Sequence, residues 1–407
     1  MQETKKQQVV IVGVSNFHLA IAEAVLNSQD HELIAFCDPD WVNVGQFFSF
    51  TPVLDVITLE AMFQSGTVDK IIVFDNDVTC GSTNFFNSIK NLMDCGINDK
   101  VYAVPDWYFQ PFKDSNQFTA RSHLIKLDLT KGVSNHMVET NYHNKCTFSC
   151  KGCLAVAPLG DESKPLETYR KDVLRLGELF CHLTAFCLAD GEPFLDPDLS
   201  EKIKIARQAF LSARIGIFSN ASLILTNPKK LENVFQAMNE YHAFLIISAY
   251  PPTFKQREQL VKILEKYDVC YRFSTDTLAP NCEIEPVRKF FKKLTLSPEN
   301  NPIAEFTLCD KTTCRTLEPG GKVRMCRIPI LIDQLQNHFD VKFEGFDDMV
   351  DDLYIDIHNT ELSGWEIAEF FNSPSPVCAY CSHARMEWFD WQQQSPKDMR
   401  LEDFIVG

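Results

Sequence analysis

Three cysteines, Cys146, Cys150 and Cys153, stand within eight residues at the spacing CxxxCxxC. On a short loop, thiolates so spaced can hold three irons of a four-iron cluster and leave the fourth iron without a protein ligand. A closed structural zinc site or a buried cluster takes four ligands, so a set of three keeps one coordination position open for chemistry. The other readings are three unrelated cysteines or a zinc knuckle lacking a ligand. A second set follows: Cys314, Cys326, and the CxxC pair Cys378 and Cys381. Between Cys314 and Cys326, the run Glu318, Pro319, Gly320, Gly321, Lys322 predicts a tight hairpin that returns the chain towards Cys314. A hairpin and a distant CxxC can close a four-sulfur site, for which zinc and iron–sulfur chemistry are both open. Cys309, five residues before Cys314, is either a lone thiol or a replacement ligand. Cys37, Cys80, Cys95, Cys181, Cys187, Cys270 and Cys282 lack metal spacing and read as small buried hydrophobes.

The elements around these cysteines read as α/β. In the first third, short apolar strands at 9–13, 33–38, 70–75 and 100–104 alternate with helical patterns, which implies a parallel, doubly wound, Rossmann-like sheet. Its glycine loop is partial: after Gly13 the second and third glycines of GxGxxG are missing, while Ser15 and Asn16 can cap the following helix. Asp38, ending the second strand, is either a ribose-binding acid or a turn cap. A linker is expected around 105–118. Strands at 123–129 and 136–141 are expected to pair through Lys131 and Gly132, the second feeding into the Cys146 loop. Beyond it, strands near 182–189, 213–219, 244–248 and 269–273 alternate with helices about every thirty residues, the cadence of a partial (β/α)6 TIM barrel. Domains are expected at 1–112, 113–303 and 304–407.

The cysteine spacing is the defining motif of the radical S-adenosylmethionine (SAM) enzymes, which the segment from about residue 123 onward resembles. The resemblance implies that the open iron chelates the methionine part of SAM. One electron, from an external donor such as flavodoxin or ferredoxin, then cleaves SAM to a 5′-deoxyadenosyl radical that abstracts hydrogen from substrate. Gly191, Glu192 and Pro193 match the family's Gly-Gly-Glu-Pro turn, which binds the SAM amino group; Asp190 replaces its first glycine. Ser219, Asn220 and Ser248, at strand ends, match positions that contact the SAM ribose and carboxylate; ordinary caps and turns are the other reading. Many family members carry an aromatic residue before the third cysteine. Gly152 stands there, so adenine packing is expected from Phe148 or Tyr142. The C-terminal cysteines resemble the twitch form of the SPASM extension, with one auxiliary four-iron cluster on Cys314, Cys326, Cys378 and Cys381. The N-terminal part resembles Rossmann-type domains of glycan and nucleotide-sugar biosynthesis. Together these imply a dehydrogenase or epimerase acting on a sugar, aminocyclitol or nucleotide sugar. Modification of a ribosomally made peptide and a non-catalytic metal scaffold are the alternatives.

Composition bounds the rest. At 407 residues, 45% hydrophobic and 12% aromatic, the chain has ample material for two or three cores. A formal net charge of −16 argues against a nucleic-acid partner, which calls for a basic stripe. The polar start and the short apolar run at 9–14 predict no export signal, and no run reaches the length of a membrane span. Fifteen cysteines in such a chain read as reduced cytoplasmic thiols and metal ligands.

Overall fold

The computed structural model describes residues 5–14, 19, 21–23, 25, 29–39, 42–74, 83–104, 124–155, 157–159, 163–189, 191–274, 289–309 and 314–407. Ser15, Asn16, Cys80, Asp190 and Cys282 lie outside them.

The first sheet holds seven strands: β1 Gln7–Val12, β2 His31–Cys37, β3 Phe47–Phe48, β4 Thr51–Leu54, β5 Lys70–Phe74, β6 Val101–Val104 and β7 Ile125–Lys126. Their order is β3-β4-β2-β1-β5-β6-β7, so the winding reverses at β1. The five central strands run parallel, and β3 and β7 add antiparallel edges. Both faces are buried, as continuous apolar strands require. Val10, Val12, Ile71 and Val73 enter one core, while Val9, Ile11, Ile72 and Phe74 enter the other. Asp38 closes a turn, its Oδ2 accepting from the Asn43 backbone N–H and Nδ2, each at 2.8 Å.

The second sheet contains β8 Gly132–Thr140, β9 Phe180–Leu188, β10 Arg214–Ser219, β11 Ala243–Ser248 and β12 Tyr271–Ser274. After β13 Lys289–Lys292, the strands β14 Cys314–Glu318, β15 Lys322–Arg324 and β16 Ile355–Asp356 extend it at the β8 side; β17 Glu387–Asp390 pairs only with β13. From β8 to β12 each strand lies parallel beside its predecessor. Helices Leu166–Leu179, Leu199–Ala209, Glu232–Glu240 and Arg257–Lys266 make the crossovers. Their apolar faces (Val173, Ile203, Phe235 and Leu260 among them) pack against Phe186, Ile217 and Leu245. Alternate strand residues, Met137, Ala185 and Cys187, face the other way, towards Phe218 and Cys314. This second face carries the site.

Two expectations are corrected. Strands 123–129 and 136–141 do not pair with each other: β7 joins β6, and β8 pairs in parallel with β9 and β14. Eight of the nine residues of β8 are buried, which suits an interior position between parallel strands and not a two-stranded hairpin. The division expected after 303 is crossed by the second sheet, since β14 and β15 belong to it. The expected 318–322 turn does join β14 to β15, with Gly320 and Gly321 at φ +85° and +77°. Helix Ile328–Phe339 and residues 343–404 build a further core around Leu331, Phe346, Tyr380 and Phe404. No helix of the described residues is long and apolar enough to cross a membrane.

Candidate functional site

Cys146, Cys150 and Cys153 leave the C-terminal end of β8 on a loop that the next strand ends hold in place. Gly191, in the turn after β9, packs against the loop's start. A Cβ there would meet the Lys145 carbonyl oxygen at 2.3 Å, and φ is +40°, so the position excludes a side chain twice over. The Glu192 backbone N–H donates to that same carbonyl at 2.8 Å. Pro193 is buried and starts a short 3-10 turn. The Glu192 carboxylate is fully buried; it accepts from the Ser219 hydroxyl at 2.7 Å and from the Asn220 backbone N–H at 2.9 Å. These bonds tie the carboxylate to the end of β10 and to the residue after it, and the Phe194 N–H adds a third at 3.4 Å. Burial pushes its pKa up to about 7, against the pull of these three donors. Asn220 turns its Nδ2 to Thr147 Oγ1 at 3.0 Å and to Cys146 Sγ at 3.7 Å. Ser248, ending β11, accepts the Tyr250 N–H on its carbonyl at 2.7 Å.

The far end of the chain covers this loop. Cys150 sits opposite Gln393 in an antiparallel bridge, Lys151 N–H donates to Gln392 O at 2.9 Å, and Gln394 N–H donates to Ser149 O at 2.7 Å. The Trp391 indole N–H donates to Cys150 Sγ at 3.2 Å. The ring of Trp391 stacks on Tyr250 (5.6 Å, 19°) and leans on Phe148 (5.9 Å). Gly152 lacks a side chain because Phe389 fills that space: a Cβ would meet the Phe389 ring at 2.6 Å. Of the aromatics expected over adenine, Phe148 is at the loop, while Tyr142 is buried with its hydroxyl on Asp172 at 2.7 Å. The departure at Gly152 was the one signal in the sequence that a distant ring comes in.

The C-terminal thiols converge as five. Cys309, Cys314, Cys326, Cys378 and Cys381 line one cavity, and Cys309, Cys314, Cys326 and Cys378 all act on the buried Arg315. Cys314 also packs beside Met137 of the second sheet. The expected set Cys314, Cys326, Cys378 and Cys381 is thus brought together, with Cys309 added to it.

The donor chemistry fits iron–sulfur clusters at both sets. Burial pushes Cys146, Cys150 and Cys326 up to about 12, so these thiols ionise readily only on a metal. The N–H donors aimed at Cys146 and Cys150 suit thiolate sulfur. Arg315 is a fully buried guanidinium among Cys309, Cys314, Cys326 and Cys378. It donates to the Met325 and Phe371 carbonyls, while its Nε–H has no partner. A buried cation left so incompletely satisfied fits a negatively charged, thiolate-ligated group beside it. No three His, Cys, Asp or Glu side chains of the described residues are gathered for a single metal ion. A four-iron cube holds its thiolates farther apart than one ion does.

One cavity of about 560 Å³ connects the two sets. Cys153 lines it from the first loop, together with Cys309, Cys314, Cys326, Cys378 and Cys381. Its polar walls are Glu139 with Arg327, whose Nε is 3.2 Å from the carboxylate, and the chain Lys293, His383, Glu305. Phe218, Tyr250, Phe290 and Trp388 supply apolar surface.

No protein-family model and no curated protein matches the chain. Among solved structures it is similar to BtrN in complex with AdoMet and 2-DOIA: 14% identity, TM-score 0.34, over 63% of this chain and 95% of that one. SuiB from Streptococcus suis bound to S-adenosylmethionine matches at 11% identity and TM-score 0.32, over 79% of this chain and 81% of that one. UDP-D-quinovosamine 4-dehydrogenase from Vibrio fischeri matches 30% of this chain and 94% of its own, at 17% identity and TM-score 0.25.

Proposed function

We propose that the chain is a radical SAM enzyme that oxidises or epimerises a small polyhydroxylated substrate, a sugar, aminocyclitol or nucleotide sugar. The observation that carries this reading is the single cavity lined by Cys153 and five further cysteines. Cys146, Cys150 and Cys153 hold a four-iron cluster with one iron open to SAM. Cys326, Cys378 and Cys381, with Cys314 or Cys309 as the fourth ligand, hold an auxiliary cluster. When bound, SAM and its cluster supply a carbon radical that takes hydrogen from substrate, and the auxiliary cluster supplies an electron acceptor.

The chain's own residues bind and exclude. The turn Gly191, Glu192, Pro193 would hold the methionine end of SAM. Glu192 ties that turn to Ser219 at the end of β10 and to Asn220 just after it. Ser248 ends the neighbouring strand, and Tyr250, Phe148 and Trp391 form an apolar wall against water. Glu139 and Arg327 are the polar groups at the cavity's β8 side, suited to the hydroxyls of a polyol. An external one-electron donor of the flavodoxin or ferredoxin kind completes the system.

Anaerobic reconstitution tests this reading. The full chain should take up about eight irons, four at each site, and form 5′-deoxyadenosine from SAM. Cys326→Ala should fall to about four irons, and whichever of Cys314→Ala and Cys309→Ala falls with it marks the fourth ligand. Uptake of zinc without iron, or iron with no deoxyadenosine under reducing conditions, overturns the proposal.

A further inference from the structure

Trp391 stands 241 residues after Cys150 in the sequence, yet its indole Nε1–H lies 3.2 Å from that sulfur. Three independent contacts hold it there. The backbone on either side of Cys150 is hydrogen-bonded to Gln392 and Gln394 at 2.9 and 2.7 Å. Lys151 Nζ is 3.3 Å from Asp403 Oδ1. The indole is stacked on Tyr250 and flanked by Phe148. A ring so fixed keeps its single donor aimed at one acceptor.

We infer that Trp391 is a tuning residue for the cluster on Cys146, Cys150 and Cys153, raising its reduction potential through the N–H···S bond. The inference rests on the radical SAM reading. A cluster gains negative charge on reduction, and a donor at a ligand sulfur stabilises the reduced form more than the oxidised one. Phe148 N–H and Asn220 Nδ2 act in the same sense on Cys146, at 3.4 and 3.7 Å. Of these three donors to sulfur, Trp391 is the one that comes from the distant tail, so docking of the tail makes reduction by an external donor easier.

Trp391→Phe retains the stacked ring and removes the donor. In the anaerobically reconstituted full chain, the midpoint potential is read from the paramagnetic signal of the reduced cluster. The signal that changes when SAM is added marks this cluster apart from the auxiliary one. The expected result is a more negative potential at unchanged iron content; an unchanged potential overturns the inference. A second measurement needs no variant. Wild-type chain grown with 15N-indole tryptophan should show hyperfine coupling between that nitrogen, or its exchangeable proton, and the reduced cluster. Absence of the coupling overturns the inference even if Trp391→Phe loses its cluster. A wild-type chain that takes up no iron on the three cysteines overturns the radical SAM reading and the inference together, a result distinct from an unchanged potential.

Discussion

Glu192 is a carboxylate shut away from water, and its three hydrogen-bond donors do not offset the whole cost of charging it there. Its folded pKa is about 7 against an ordinary value of 4.5. Between those values the unfolded chain has released the proton while the folded chain keeps it. Stability therefore falls as pH rises through the window, and the loss persists above it. In iron-free protein, Glu192→Gln should match the wild type near pH 5 and exceed it at pH 8 by on the order of 2–3 kcal/mol, read by thermal melts. A stability difference that does not change with pH would show that the side chain is solvated. The thiols behave differently, since a metal and not a proton satisfies them. Cys150→Ala should abolish deoxyadenosine formation and lower the iron content to about four per chain, measured by iron analysis and chromatography.

At the scale of elements, the tail and the Cys146 loop form one unit through Gly152. Its φ of +65° and the Phe389 ring both oppose a side chain. Gly152→Ala should cost about 2–4 kcal/mol and expose residues 387–394 to protease. Adding Phe389→Ala should recover the overpacking part and leave the backbone part, which unfolding curves can separate. Much of the fold was legible in the sequence for the same physical reasons that stabilise it. Buried parallel strands are continuous apolar runs ended by glycine or polar residues, and β1, β5, β9, β10 and β11 all read so. β7 was legible as a strand within 123–129 and not in its pairing, because its partner is chosen by the edge of β6. The three cysteines of the first loop declare themselves by spacing. Glu192 was legible as a residue and its burial was not, since spacing cannot say whether a carboxylate points out or in. Cys309 and Trp391 depend on long-range closure, which no local pattern encodes.

At the scale of the whole molecule, the two thiol sets share one cavity, so their contributions should separate cleanly. A variant with Cys309, Cys314, Cys326, Cys378 and Cys381 all replaced by Ser should still form deoxyadenosine if it folds, yet release no oxidised product from substrates the wild type oxidises. Product analysis beside the deoxyadenosine count decides it, and continued oxidation would make the second set a structural clip. The covering of the first loop by residues 391–403 also bears on how the protein is made. Cys150 leaves the ribosome 241 residues before Trp391, an interval of about 10–50 seconds at ordinary rates of synthesis. Through that interval the three thiols have no Gln392–Gln394 backbone beside them and no indole above. A cluster loaded in that interval would enter an open loop, and one loaded later would have to pass the docked tail. The segment that covers the loop is made after everything it covers.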